Sequence, residues 1–260
     1  MSKISILLVA ITFLFGLNQT KTDDQMKSKK VKIEIWSDIA CPFCYLGKRK
    51  LEKAIKNLKA EDKVEVEWKS FQLDPSFPKD TSYSSIQYLS EKKGYPIAQI
   101  EAMCDQLEYQ GKSYGIEYNF DSAKTVNTYD MHRLLQWSKK MNKSNELKEA
   151  FIHAYFSEGI DLSKHENILA IIVKSGLNYE DAKVILSSNQ FSDEVTNNIT
   201  EAKRFGIRGV PFFLINGDKG ISGAQDDSVF EKVISTAIID SNIDTSNLNG
   251  QVCTPDGLCD

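Results

Sequence analysis

The spacing of apolar and polar residues divides the chain into stretches of different period. Val31-Lys32-Ile33-Glu34-Ile35-Trp36 alternates at period two and predicts a strand. From Pro42 to Leu58 the apolar positions Leu46, Leu51, Ala54, Ile55 and Leu58 recur at helical spacing, with Pro42 suited to a first turn. Val64-Glu65-Val66-Glu67-Trp68 alternates again, so strand, helix and strand make a βαβ unit whose crossover sets the two strands parallel. Between about Ser84 and Phe205 only helical periods recur, as in Ile97, Ile100, Cys104 and Leu107, or Leu147, Phe151, Ile152 and Tyr155. Val210–Ile215 then reads as a strand, Asn216-Gly217-Asp218 as a turn and Gly220–Gly223 as a short return strand, in the manner of a hairpin. Val229, Val233, Ile234, Ala237 and Ile238 line a last amphipathic helix.

The ends of the chain follow neither period. Ile4–Leu17 is apolar and uncharged behind Lys3, the pattern of a signal peptide. It is short for a membrane span, which needs about 20 residues. Residues 1–22 are therefore set apart as a leader, either removed or retained as an anchor, and 23–30 as a polar linker. The expected organisation is an α/β domain in two parts, 31–83 and 206–240, interrupted by an all-helical subdomain at 84–205. A flexible polar tail, 241–260, follows.

Composition narrows the function class. In 260 residues, 41% are hydrophobic and 26% charged, as in ordinary globular proteins. Thirty-two basic against 36 acidic residues give a net charge of −4, which argues against a broad grip on nucleic acid or anionic lipid. Gly-rich phosphate loops and the G-x-S-x-G elbow of serine hydrolases are absent from the sequence. His132, His153 and His165 share no motif, so no metal site is expected.

The five cysteines are too few for a disulfide scaffold, yet four of them form two close pairs. Cys41-Pro42-Phe43-Cys44 follows a strand and opens a helix. Unpaired N–H groups and the helix dipole at such a terminus stabilise an anion, and the thiolate is the attacking form of a cysteine. Cys41 is thus the expected nucleophile, with its charge favoured by the helix, and Cys44, one turn further in, the more buried resolving thiol. Such a pair is also half a zinc site, but the gap between Cys253 and Cys259 is not that of a zinc knuckle. Those two are expected to form an auxiliary disulfide over the Pro255-Asp256-Gly257 turn, and the spacing leaves open whether it exchanges electrons with the first pair. Cys104 continues an apolar helical stripe and reads as a packed thiol.

Five ordered motifs resemble the DsbA family, in particular its FrnE-like branch. They are Ser37–Cys44 with Gly47, Asn127–Leu135, Ala154–Gly159, Gly206–Phe213 and Ser222–Gln225. The resemblance implies a thioredoxin-like fold with a helical insertion, a cis bond before Pro211, and dithiol–disulfide exchange through Cys41 and Cys44. Pro42, Phe43, Val210 and Pro211 would contact the substrate. It implies a protein disulfide oxidoreductase without a cofactor, whose partners are cysteine-containing client proteins and a redox protein or thiol pool. Given the leader, the expected compartment is an exported one such as the periplasm. Where DsbA has His in the third motif position this chain has Phe43, which implies a less stabilised thiolate and a milder oxidant. An alternative function is a glutathione-linked isomerase or transferase of small aromatic substrates. Related enzymes of that kind share the architecture, but they carry Ser where this chain has Cys41. A third is a binding module in which the cysteines are only structural.

Overall fold

Strand β1 (Val31–Ser37) is the seam of a four-stranded mixed sheet. The computed structural model describes residues 30–79 and 81–242. β1 lies parallel to β2 (Val64–Ser70), joined to it through helix α1 (Pro42–Asn57). On its other side, after a long insertion, it pairs antiparallel with β5 (Phe212–Ile215), which turns back as β6 (Lys219–Ser222). The resulting order is β2-β1-β5-β6. Helix α9 (Asp227–Asn242) closes the fold against α1. The expected leader 1–22, most of the linker 23–30, and the Cys253–Cys259 pair lie outside the described residues.

Period two in β1 decides the layering. Val31, Ile33 and Ile35 cluster with Leu51, Ala54 and Ile55 of α1 and with Phe230, Ile234 and Ala237 of α9. Phe213 of β5 and Phe230 meet edge to face, with ring centroids 4.9 Å apart. Trp36 belongs to a separate cluster with Ala202, Ile207 and Leu214.

The insertion begins with β3 (Ser82–Ser84), the helical turn α2 (Ser85–Gln87), a π-helical turn at Tyr88–Lys92 and α3 (Ile97–Lys112). It continues through β4 (Lys124–Val126), α4 (Tyr129–Ser138), a 3-10 turn at Lys139–Met141 and α5 (Ser144–Phe156). It ends with α6 (His165–Lys174), α7 (Tyr179–Leu186) and α8 (Ser192–Arg204). It is helical apart from β3 and β4, which pair antiparallel over three residues each. Strands of that length are too short to display an alternation, so the sequence pattern passes over them.

Buried polar side chains tie the insertion to the sheet, because a polar group taken out of water must find a partner. The Trp36 indole N–H donates to the Asn198 carbonyl of α8 at 2.9 Å. The Asn198 side-chain oxygen accepts from Ser70 N–H of β2 and from Gln136 of α4. Within the insertion Arg133 is buried and donates to the carbonyls of Ile185, Ser188 and Gln190, satisfying the end of α7. Phe230→Ala, which opens a hole in the layer between the sheet and its helices, is expected to cost about 3–5 kcal/mol of stability. Ile239→Ala, at a position 61% exposed on the same helix, is expected to stay within about 0.5 kcal/mol. Urea unfolding midpoints of the two variants check the contrast.

Candidate active site

Cys41 occupies the N-cap of α1 in extended conformation, and its carbonyl accepts the Cys44 N–H at 3.0 Å, closing the first turn. Pro42 follows at the first helical position, where its missing N–H costs nothing. The Cys41 thiol donates to the Val210 carbonyl at 3.4 Å. The Val210–Pro211 peptide bond is cis. One turn into α1 stands Gly47, where a Cβ would come within 3.0 Å of Pro211 Cγ and 3.1 Å of Phe213 Cζ. The glycine is therefore what lets α1 and the proline loop approach this closely.

Both cysteines stand as thiols, Cys41 4% and Cys44 1% exposed, while Phe43 between them is 40% exposed. Pro42 is half-buried, and its carbonyl accepts the Tyr118 hydroxyl at 2.7 Å. Val210 is half-buried and Pro211 buried. The structure thus brings Cys41, Cys44, Val210 and Pro211 together and turns Phe43 outward. Cys104 is remote from this loop, packed in the insertion core, and burial with nearby carboxylates pushes its thiol up to about 11.

The charge on the dithiol differs from the sequence expectation. The hydrogen bond to Cys44, burial and the charge of Cys44 raise the Cys41 thiol well above its ordinary value, and the N–H of Cys44 offsets only part of this. Cys44 is lowered: burial opposes its ionisation, but the hydrogen bond from Cys41 and the positive charge of Lys148 outweigh it. In this reduced geometry Cys44 is the more readily ionised sulfur of the two. The Val210 carbonyl, facing the Cys41 sulfur at 3.4 Å, also favours the protonated form of Cys41.

Three charged or polar groups accompany the dithiol: Asp38 and His132, which fall in two of the sequence motifs without a role read from them, and Lys148, which lies outside all five. The Asp38 carboxylate is buried; it accepts the Leu73 N–H at 2.8 Å and faces His132 Nε2 at 3.2 Å. Burial raises Asp38, but the bond to His132 outweighs it with help from the Leu73 and Thr128 donors, so the carboxylate stays ionised. Burial lowers His132 more than Asp38 raises it, which keeps the ring neutral. Lys148 of α5 is 1% exposed and, mainly through burial, lowered to about 8. Its position was readable: Lys148 falls on the same helical stripe as Phe151, Ile152 and Tyr155, where a surface lysine has no place. Among the described residues no three His, Cys, Asp or Glu side chains gather as a metal-binding group.

A DSBA-like thioredoxin domain model matches residues 32–235, nearly the whole described chain. The chain belongs to the DsbA-like family. The Streptomyces coelicolor protein SCO1869, described as a probable DsbA oxidoreductase, superposes with a TM-score of 0.79 at 34% identity, over 88% of this chain and 98% of that one. The uncharacterized protein YwbO of Bacillus subtilis is 30% identical over 210 residues, 79% of this chain and 96% of its own length. A 2-hydroxychromene-2-carboxylate isomerase shares the DsbA-like fold alone, with a TM-score of 0.58 at 17% identity over 84% of this chain and all of that one.

An unfolded His132 takes up its proton near pH 6.5, whereas the folded one does so only at lower pH. Acidification through that window therefore favours the unfolded chain. Between pH 7 and 5.5 the wild type is expected to lose about 1 kcal/mol more stability than His132→Gln, whose amide can still donate to Asp38. Urea titrations at the two pH values measure this, and equal losses would remove His132 from the account.

Proposed function

We propose that the protein is a thiol–disulfide oxidoreductase that exchanges disulfides with cysteines of client proteins through Cys41-Pro42-Phe43-Cys44. The observation that carries this reading is the dithiol at the start of α1, its outer sulfur set against Val210 beside the cis Pro211. Cys41 is the nucleophile, because it is the less buried sulfur and opens toward Phe43 and Val210. A client thiolate attacks the oxidised pair at Cys41, forming a mixed disulfide and releasing Cys44 as thiolate. A second client thiolate then displaces Cys41, so that two electrons pass to the pair and the client gains its disulfide. Read in reverse, the reduced pair opens a client disulfide. Val210 and Pro211 flank the approaching chain, and Pro42 and Phe43 form the opposite lip.

In the reduced geometry Cys44 is the more readily ionised sulfur, and Cys41 attacks once its own thiol has lost its proton. The outward Phe43 adds no positive donor, which supports a milder oxidant than an enzyme with His at that place. The five motifs support the FrnE-like branch, and the apolar run Ile4–Leu17 supports action in an exported compartment. A glutathione-linked isomerase on this fold has no use for the second buried thiol.

Cys41→Ser is expected to abolish both insulin reduction and oxidative refolding of a reduced client. Cys44→Ser is expected to accumulate a covalent protein–client adduct that dithiothreitol releases, visible by intact-mass measurement. Retained turnover in Cys41→Ser would overturn the assignment.

A further inference from the structure

Lys148 is the charged group that disulfide exchange as described leaves without a task. An ammonium withdrawn from water costs several kcal/mol unless something offsets it. Among the described residues Lys148 has no ion-pair partner, although its neighbour Glu149 has several. Glu149 takes Lys48 at 2.7 Å, also pairs with Arg49, and accepts the Tyr45 hydroxyl at 2.9 Å, all from α1. Asn145, one turn earlier, accepts the Trp68 indole N–H of β2 at 3.2 Å. These contacts hold the Asn145–Glu149 stretch of α5 against β2 and against the turn of α1 that directly follows Cys44, with Lys148 turned inward. Its Nζ stands 5.6 Å from the centre of the Trp68 ring, a face that favours a cation.

The titratable groups around it come from three places. Cys44 and Cys41 at the start of α1 and Asp38 after β1 favour its positive form, while Lys48 of α1 opposes it. Lys148 in turn holds down the protonation of His132 on α4. The Asp38 charge is already engaged by His132 and the Leu73 N–H, which leaves the Cys44 sulfur as the negative group whose charge comes and goes.

We propose that Lys148 is a positioning residue for disulfide exchange, a cation supplied by the helical insertion that stabilises the Cys44 thiolate needed to resolve the mixed disulfide. This rests on the function proposed above. In the reductive direction Cys41 is already bonded to a client sulfur. Cys44 loses its proton to water, and its thiolate attacks the Cys41 sulfur. The Cys41–Cys44 bond forms as the Cys41–client bond breaks, and the client sulfur leaves with the electron pair and takes a proton from water. Two electrons have passed from the dithiol to the client, and no co-reactant is needed. Without a cation behind it, a thiolate at a site 1% exposed bears the full cost of its burial. The lowering of Lys148 to about 8 fits a site whose ammonium is held only by a partner that is charged part of the time.

The reaction with Ellman's reagent separates the two sulfurs. In a full-length background with Cys104→Ala, Cys253→Ser and Cys259→Ser, rapid mixing releases one thionitrobenzoate as Cys41 attacks and a second as Cys44 resolves the adduct. Lys148→Met is expected to leave the first phase within about twofold. It should move the pH midpoint of the second phase up by about one unit, a roughly tenfold slower step at pH 7. Lys148→Arg is expected to restore the midpoint. A second-phase midpoint unchanged in folded Lys148→Met overturns the role of Lys148, whereas absence of the first phase in the parent background overturns the oxidoreductase reading itself. Should Lys148→Met fail to fold, the titration of the Lys148 side chain by NMR in the wild type decides. Its midpoint should stand higher in the reduced than in the oxidised protein, and equal midpoints overturn the proposal.

Discussion

A pair of thiols is buried almost completely at the start of α1, and the cost of ionising either sulfur there is the constraint to which the surrounding groups relate. Desolvation alone would push both sulfurs up and leave them unreactive. What offsets it comes from separate stretches of chain, the N–H groups of the helix start at residues 41–44 and a lysine on α5, while the Val210 carbonyl of the proline loop and the ionised Asp38 act against it. None of these is close in sequence to all the others. The fold serves to hold them at one place.

That requirement explains where the insertion sits. Tyr118 reaches the Pro42 carbonyl, Glu149 gathers Lys48, Arg49 and Tyr45, and Ile39, Tyr45 and Leu46 pack into the core of the insertion rather than that of the sheet. Helix α1 therefore belongs to two cores, its start to that of the insertion. Its later turns, Leu51, Ala54 and Ile55, belong to the sheet. An inserted segment in this position forms one wall of the reactive site, so a change in its packing reaches the sulfurs through a few rigid contacts.

Much of this was legible in the sequence, for identifiable reasons. β1 and β2 alternate because one side of each is buried, α1 shows its apolar stripe, and the C-x-x-C stands at the junction that its chemistry needs. Cys41, Cys44, Val210 and Pro211, each named from the sequence, lie together in the structure. The distribution of charge was not legible, because it depends on which donors actually reach a sulfur. The Cys41 thiol points to a carbonyl, and the cation that matters to Cys44 arrives from a helix more than a hundred positions away. Nor did three-residue strands such as β3 and β4 leave a periodic trace. Lys148 was the missed signal, a charge on an apolar stripe.

The seam between β1 and β5 bears on how such a chain is made. The Lys32 N–H and the Asn216 side chain that accepts it are 184 positions apart, and every hydrogen bond between these two strands spans a similar interval. During synthesis β1 and β2 emerge early, and one edge of β1, carrying Ile33 and Ile35, waits for its partner until the entire insertion has left the ribosome. An unpaired apolar edge is a template for the wrong strand. The newly made chain is thus exposed to mispairing until late in its synthesis, and the length of the insertion sets how long that exposure lasts.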